Sequence, residues 1–182
     1  MINYLINIFR MHYVAKIEGK RMWDKAEDIE PIISDLRQYN DKIIGIELSS
    51  NSLGYEAAKV LAEEISKLKN LEVVNYRDIF VSRKKEDLPK SLLELIKAIE
   101  DKNIKILDLS DNAFGPIGVQ AFDFFLRKAK SLKVLYLENN GLGPEGSELV
   151  AQALIENEGL ALETLTINRN RLENKGALAF AK

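Results

Sequence analysis

The chain has no cysteine and only one histidine, His12, among its 182 residues. The absence of cysteine excludes disulfides, a thiolate nucleophile and cysteine-ligated zinc, and it favours a reducing compartment such as the cytoplasm. A single histidine excludes any site that needs two. No stretch approaches the roughly 20 apolar residues of a membrane span. We therefore expect no metal, no cofactor and no membrane insertion.

An excess of charge of one sign is also missing. The 26 Lys and Arg residues nearly balance the 28 Asp and Glu residues, which leaves a net charge of -2. Nucleic-acid binding is usually marked by a strongly basic surface, so we expect no nucleic-acid partner. The length and a hydrophobic content of 46% suit one domain with a buried core.

The most informative feature of the chain is one phrase that occurs four times. The copies are Ile43 to Leu53 (IIGIELSSNSL), Ile104 to Phe114 (IKILDLSDNAF), Leu132 to Leu142 (LKVLYLENNGL) and Leu162 to Leu172 (LETLTINRNRL). Each fits the leucine-rich repeat pattern LxxLxLxxNxL. The conserved slot of the pattern holds Asn51, Asn112, Asn140 and Asn170. These asparagines are 61, 28 and 30 positions apart, so the first gap holds one further, eroded repeat.

The repeat predicts both the strand and the helix of each unit. In the third full copy, Leu132, Leu135 and Leu137 should point from a short strand into the core. A helix should follow, with apolar residues spaced by four. We therefore predict an α/β fold, namely a leucine-rich repeat solenoid shaped like a horseshoe. Its parallel sheet lies on the concave face and its helices on the convex face, as in ribonuclease inhibitor.

The eroded repeat carries the longest loop. It reads LEVVNYRDIFV from Leu71, with Ile79 in the asparagine slot, and continues as SRKKEDLP towards a helix predicted to begin near Ser91. The loop holds three consecutive cations, Arg83, Lys84 and Lys85. Two interpretations fit them: a solvated charge run, or a binding loop held on a rigid scaffold.

Several motifs outside the repeat pattern resemble one family. YRDIFVSRKKEDLPKSLLELIKAI, LSDNAFGP, LYLENNGLGPEG and NRNRLEN occur in this order, and together they resemble the leucine-rich repeat domain of the Ran GTPase-activating proteins. The resemblance runs from about Ile17 to the end of the chain. It implies a protein that binds the GTP form of a Ran-type small GTPase and stimulates its hydrolysis. Such a protein is an activator that works on its partner's active site rather than an enzyme in its own right.

The resemblance also implies a mechanism and a setting. Many activators insert an arginine finger, whereas this family is understood to use an asparagine, at the position of Asn139, to hold the G protein's own glutamine. The arginine at the position of Arg83 is implied as a binding and supporting residue. The family role implies nucleocytoplasmic transport and a cytoplasmic location, with the nuclear envelope as a further site.

The repeat geometry agrees with the assignment of Asn139. Asn140 occupies the buried slot, so Asn139 should lie on the exposed rim at the strand ends. An amide can donate and accept at once, which suits it to holding another amide. Arg83 and Lys85 then become candidate contacts to an acidic patch or to the nucleotide's surroundings, and Asp111 a candidate contact to a basic group. The alternative is a leucine-rich interaction scaffold without GTPase-activating activity.

The predicted domain organisation is an extension over residues 1–12 followed by a repeat domain over residues 13–182 with five to six repeats. The family's members have about twice as many repeats, and terminal repeats normally need a polar cap. Here Phe180 is expected on an uncovered flank. The chain is therefore expected to be truncated at its C-terminal side, or to associate with itself or a partner there.

Overall fold

The computed structural model describes residues 13–16, 21–84 and 86–181. The predicted extension over residues 1–12, and Lys85, lie outside the described residues. The strands are β1 (Tyr13–Lys16), β2 (Met22–Trp23), β3 (Ile43–Glu47), β4 (Ser52–Leu53), β5 (Val73–Asn75), β6 (Ile106–Asp108), β7 (Val134–Tyr136) and β8 (Thr164–Thr166). The α-helices are α1 (Glu30–Gln38), α2 (Tyr55–Ser66), α3 (Leu88–Lys97), α4 (Gly115–Gly118), α5 (Asp123–Leu126), α6 (Gly143–Glu156) and α7 (Glu173–Ala179).

A parallel sheet of six strands, in the order β1-β3-β5-β6-β7-β8, confirms the predicted solenoid. Its register aligns equivalent positions of successive repeats, so that Val73 pairs with Ile106 and Ile106 with Val134. The short strands β2 and β4 form a second parallel pair just beyond the main sheet. Equivalent strand residues of adjacent repeats are therefore neighbours in the sheet.

The core lies between this sheet and the helices. The middle residues of β6 and β7, Leu107 and Leu135, are fully buried, as are Ala57, Leu61 and Ile65 on one side of α2. Burial of a leucine side chain contributes about 1.5 to 3 kcal/mol. Because the flanks of one repeat are covered only by the next, this contribution exists only in the stack.

A ladder of buried asparagines closes the bend after each strand. Asn112 donates from Nδ2 to the carbonyl of Leu109 at 2.9 Å, and its backbone N–H donates to Oδ1 of Asn140 at 2.9 Å. Asn140 repeats the arrangement with Oδ1 of Asn170 at 2.8 Å. The eroded repeat still joins the ladder, because the N–H of Ile79 donates to Oδ1 of Asn112 at 2.9 Å.

Two local features differ from the sequence prediction. Helix α3 begins at Leu88 rather than near Ser91, which is buried within the helix, because Pro89 already fits the first helical turn. The helix expected after Gly115 is divided into α4, the 3₁₀ turn Val119–Ala121 and α5. None of the helices in the described ranges has the length and apolar character needed to span a bilayer.

Candidate functional site

The residue that precedes each consensus slot lies on a common rim at the strand ends. All five of these rim residues have positive φ angles: Ser50 (60°), Asp78 (53°), Asp111 (60°), Asn139 (52°) and Arg169 (58°). The N–H groups of four of them donate to the next repeat, as Asp111 does to the carbonyl of Glu138 and Asn139 does to that of Asn168, both at 2.9 Å. The left-handed backbone turns these side chains away from the core, while the next residue turns inward.

The two asparagines of the NN pair occupy opposite environments, as the repeat pattern predicts. Asn140 is fully buried and donates from Nδ2 to the carbonyls of Leu109 and Leu137, at 3.0 and 3.1 Å. Asn139 is exposed, and its Nδ2 donates to Oδ1 of Asp111 at 2.8 Å. A carboxylate only accepts hydrogen bonds, so the contact with Asp111 fixes which end of the Asn139 amide faces it. Within the described residues, Oδ1 of Asn139 accepts no hydrogen bond.

Asp111 bridges Asn139 to a cation on the preceding repeat. While its Oδ1 accepts from Asn139, its Oδ2 lies 2.5 Å from Nη2 of Arg77. Arg77 also lies 3.8 Å from a carboxylate oxygen of Glu138, and its backbone N–H donates to Oδ1 of Asn75 at 3.0 Å. The Asp111 side chain is 24% exposed and that of Arg77 is 44% exposed. The rim thus contains a connected series of three polar side chains, Arg77, Asp111 and Asn139.

Carboxylates of the concave sheet surface lie beside this series. The pKa of Asp108 is raised above its ordinary value because burial disfavours the charged carboxylate. The N–H of Ser110, which donates to Oδ1 of Asp108 at 2.8 Å, and the charge of Arg77 oppose that rise. Burial also raises the pKa of Tyr136, and the charges of Asp108 and Glu138 add to the effect. Tyr136 therefore stays protonated beside the rim at neutral pH.

Arg83 lies on the same strand-end side of the stack but is engaged within the chain. Its Nη2 donates to the carbonyl of Ser52 at 2.7 Å and to that of Trp23 at 3.3 Å, and its Nη1 pairs with the carboxylate of Asp24. Only 16% of the side chain is exposed. A Cβ at Gly54 would lie 3.3 Å from Nη1, so a glycine there accommodates the guanidinium. Arg83 thus links the eroded repeat to the pair formed by β2 and β4.

The structure brings together only some of the residues predicted from sequence. Asn139 and Asp111 are in contact, whereas every contact of Arg83 lies at the loops near β2 and β4. Lys85 is outside the described residues. Sequence reasoning missed Arg77, although aligning Ile79 with the asparagine slot would have placed it two residues before that slot in the eroded repeat. It also missed Asp24, for which the sequence holds no repeat signal.

The chemistry available at the rim is that of positioning rather than bond making. The rim offers amide, guanidinium and carboxylate groups, and nothing in the described ranges forms a cluster of three or more His, Asp or Glu side chains suited to a metal ion. Asn139 offers Oδ1 and its second Nδ2 hydrogen to a visiting molecule. Such a pair matches the donor and acceptor of another primary amide.

Comparisons with known proteins identify sequence relatives of the chain. The family model described as Leucine Rich repeat matches residues 100–122 and 128–151. Ran GTPase-activating protein 1 of Xenopus laevis is 35% identical, over 86% of this chain and 29% of its own length. Ran GTPase-activating protein 2 of Caenorhabditis elegans is 39% identical, over 92% of this chain and 19% of its own. Ran GTPase-activating protein 1 of Saccharomyces cerevisiae is 33% identical, over 92% of this chain and 44% of its own length.

The fold and the matched repeats define the chain as a leucine-rich repeat protein with a polar rim at its strand ends. Within that class it is a sequence relative of the Ran GTPase-activating proteins, which confirms the resemblance drawn from its motifs. The chain spans between 19 and 44% of the length of the three relatives named above.

Proposed function

We propose that the chain is a GTPase-activating module for a Ran-type small GTPase in its GTP form. The observation that carries the proposal is the identity of 33 to 39% with three Ran GTPase-activating proteins over most of this chain. The exposed amide of Asn139 supplies a chemically suitable group on the rim. The family role further suggests action in nucleocytoplasmic transport, in the cytoplasm and at the nuclear envelope.

The proposed mechanism rests on Asn139. Its Nδ2 is oriented by Asp111, so its Oδ1 and remaining N–H face outward. These two groups hold the amide of the G protein's own glutamine, which then orients the attacking water. No arginine finger enters the partner's site. Because the amide is held before the partner arrives, little ordering remains to be done at the moment of reaction.

Arg83, Lys85 and Asp111 remain proposed contributors to partner binding. For Arg83 the internal contacts support an indirect role, because the guanidinium holds the loop that carries Lys85 against Ser52 and Asp24. Asp111 carries negative charge at the rim, which favours a basic surface on the partner. Rim charges of this kind act mainly on the association rate.

The proposal is tested by single-turnover GTP hydrolysis on Ran, with and without the chain. The wild-type chain should accelerate hydrolysis, and Asn139→Ala should lose a factor of about 10² to 10³, the usual loss on removing one positioned donor. Asn70→Ala is a matched control: it removes another exposed asparagine, whose Nδ2 donates to the carbonyl of Asp41 at 2.8 Å, away from the rim. No acceleration by the wild-type chain would reject the proposal.

One observation favours a second candidate, the interaction scaffold without activating chemistry. The concave face carries an apolar row, Val73, Ile106 and Val134, beside a groove of about 620 Å³ that Lys105 and Lys133 also line. A surface of this kind can bind a protein without touching a nucleotide. Binding of Ran with no rate increase in the same assay would favour the scaffold.

A further inference from the structure

We propose that Arg77 is a positioning residue for Asn139 and acts on it through Asp111. The inference rests on the proposed function of Asn139 and adds a residue that the sequence did not single out. Asp111 uses one carboxylate oxygen for each neighbour, Oδ2 for Arg77 at 2.5 Å and Oδ1 for Asn139 at 2.8 Å. The three side chains come from three successive repeats and have no other link to one another.

The Asp111 carboxylate needs an anchor to hold Asn139 in one orientation. Asp111 is on a left-handed rim turn, with φ at 60°, and its two carboxylate oxygens are engaged by Arg77 and Asn139. Arg77 supplies the missing constraint because its planar guanidinium pairs with Oδ2 and leaves Oδ1 directed at Asn139.

Arg77 is itself held on two sides, which makes it a suitable anchor. Its backbone N–H is bound by Oδ1 of Asn75, and its Nη1 lies 3.8 Å from the Glu138 carboxylate. Asn75 is in turn fixed by Glu47, whose carboxylate accepts from its Nδ2 at 2.6 Å. The constraint on Asn139 therefore begins at Glu47 on the concave sheet surface, three repeats away from the residue that it orients.

The alternative role for Arg77 is direct contact with the G protein, and kinetics separates positioning from contact. A positioning residue changes the maximum rate of stimulated hydrolysis, whereas a contact residue changes the concentration needed for half-saturation. Arg77→Ala should lower the maximum rate about tenfold, as expected for losing one charge-assisted hydrogen bond. Arg77→Lys, which keeps a cation for Oδ2, should restore most of the rate. A change in half-saturation alone would overturn the proposal.

A double-mutant cycle gives the sharpest kinetic test. If Arg77 works only through Asn139, Arg77→Ala should cause no further loss in an Asn139→Ala background. Equal loss in both backgrounds would show that Arg77 acts independently. Arg127→Ala is the matched control, since Arg127 is an ion-paired arginine on the helical face, bonded to Asp123, and its removal should leave stimulation unchanged.

A measurement without the G protein keeps this inference separate from the proposed function. In nuclear magnetic resonance spectra of the isolated chain, the side-chain amide protons of Asn139 should be displaced from the chemical shifts of a free surface amide, because one of them is bonded to Asp111. Arg77→Ala should move them towards the values of a free surface amide, and Arg127→Ala should not. Unchanged Asn139 signals in Arg77→Ala would overturn the positioning role. If the signals move but Asn139→Ala leaves hydrolysis unaffected, the positioning stands and the proposed function fails.

Discussion

The adjacent residues Asn139 and Asn140 allow one substitution to serve as the control for the other. Asn140→Ala removes two hydrogen bonds donated to the carbonyls of Leu109 and Leu137 and one accepted from the N–H of Asn112, all in a fully buried position. An unmet buried group costs about 1 to 3 kcal/mol. Only the N–H of Asn112 loses its acceptor, because the Leu109 and Leu137 carbonyls still accept from Nδ2 of Asn112 and of Asn170. The unmet N–H and the two lost hydrogen bonds together should lower the free energy of unfolding by about 2 to 4 kcal/mol.

Asn139→Ala should behave differently, although it removes the same side chain. The amide is exposed and gives up one hydrogen bond, to Asp111. We expect the free energy of unfolding to fall by no more than about 1 kcal/mol, most of it because alanine tolerates the left-handed backbone of this position less well than asparagine does. The larger loss expected for Asn140→Ala follows from the burial of its side chain.

Urea denaturation followed by circular dichroism measures both variants. The urea midpoint should fall sharply for Asn140→Ala and stay near the wild-type value for Asn139→Ala. The slope of the free energy of unfolding against urea concentration should be similar in all three proteins. A loss below about 1 kcal/mol for Asn140→Ala would refute the ladder as a source of stability. A large loss for Asn139→Ala would refute the exposed rim position.

Two further predictions follow from buried or linking residues. Burial raises the pKa of Tyr76, so above about pH 10 the unfolded chain loses a proton that the folded chain keeps, and stability falls as the pH rises. Tyr76→Phe should remove the part of this loss of stability at alkaline pH that Tyr76 causes. At neutral pH the substitution should leave the free energy of unfolding equal or higher, because Oη has no hydrogen-bond partner among the described residues. Urea midpoints at pH 8 and pH 11 measure both effects. Arg83→Ala should lower stability by about 1 to 3 kcal/mol, since it removes the hydrogen bonds that the guanidinium donates to the Ser52 and Trp23 carbonyls and its ion pair with Asp24. Unchanged thermal unfolding with lost stimulation would instead indicate direct contact with the partner.

The sequence was sufficient to predict the fold because the repeat pattern determines where each strand and helix lies. The spacing of leucines fixes which side chains enter the core, and Leu107 and Leu135 are fully buried accordingly. The same spacing separates Asn139 from Asn140. Because the pattern occurs once per structural repeat, residues at the same position of the pattern occupy equivalent places in every repeat.

The candidate site was only partly predictable, for a physical reason. Asp111 and Asn139 are 28 residues apart, which is one repeat, so their contact was available from the spacing. The contacts of Arg83 were not, because they join a long loop without repeat period to carbonyls 31 and 60 residues earlier in the chain. The break between α4 and α5 was also hidden, because the spacing of apolar residues by four is the same in an unbroken helix.

The most direct test of the central claim is a saturation series of single-turnover hydrolysis on Ran, comparing the wild-type chain with Asn139→Ala. If the exposed amide orients the partner's glutamine, the maximum rate should fall by about 10² to 10³ while the concentration for half-saturation stays nearly constant. An unchanged maximum rate, with weaker binding alone, would contradict the account and leave Asn139 as an ordinary contact residue.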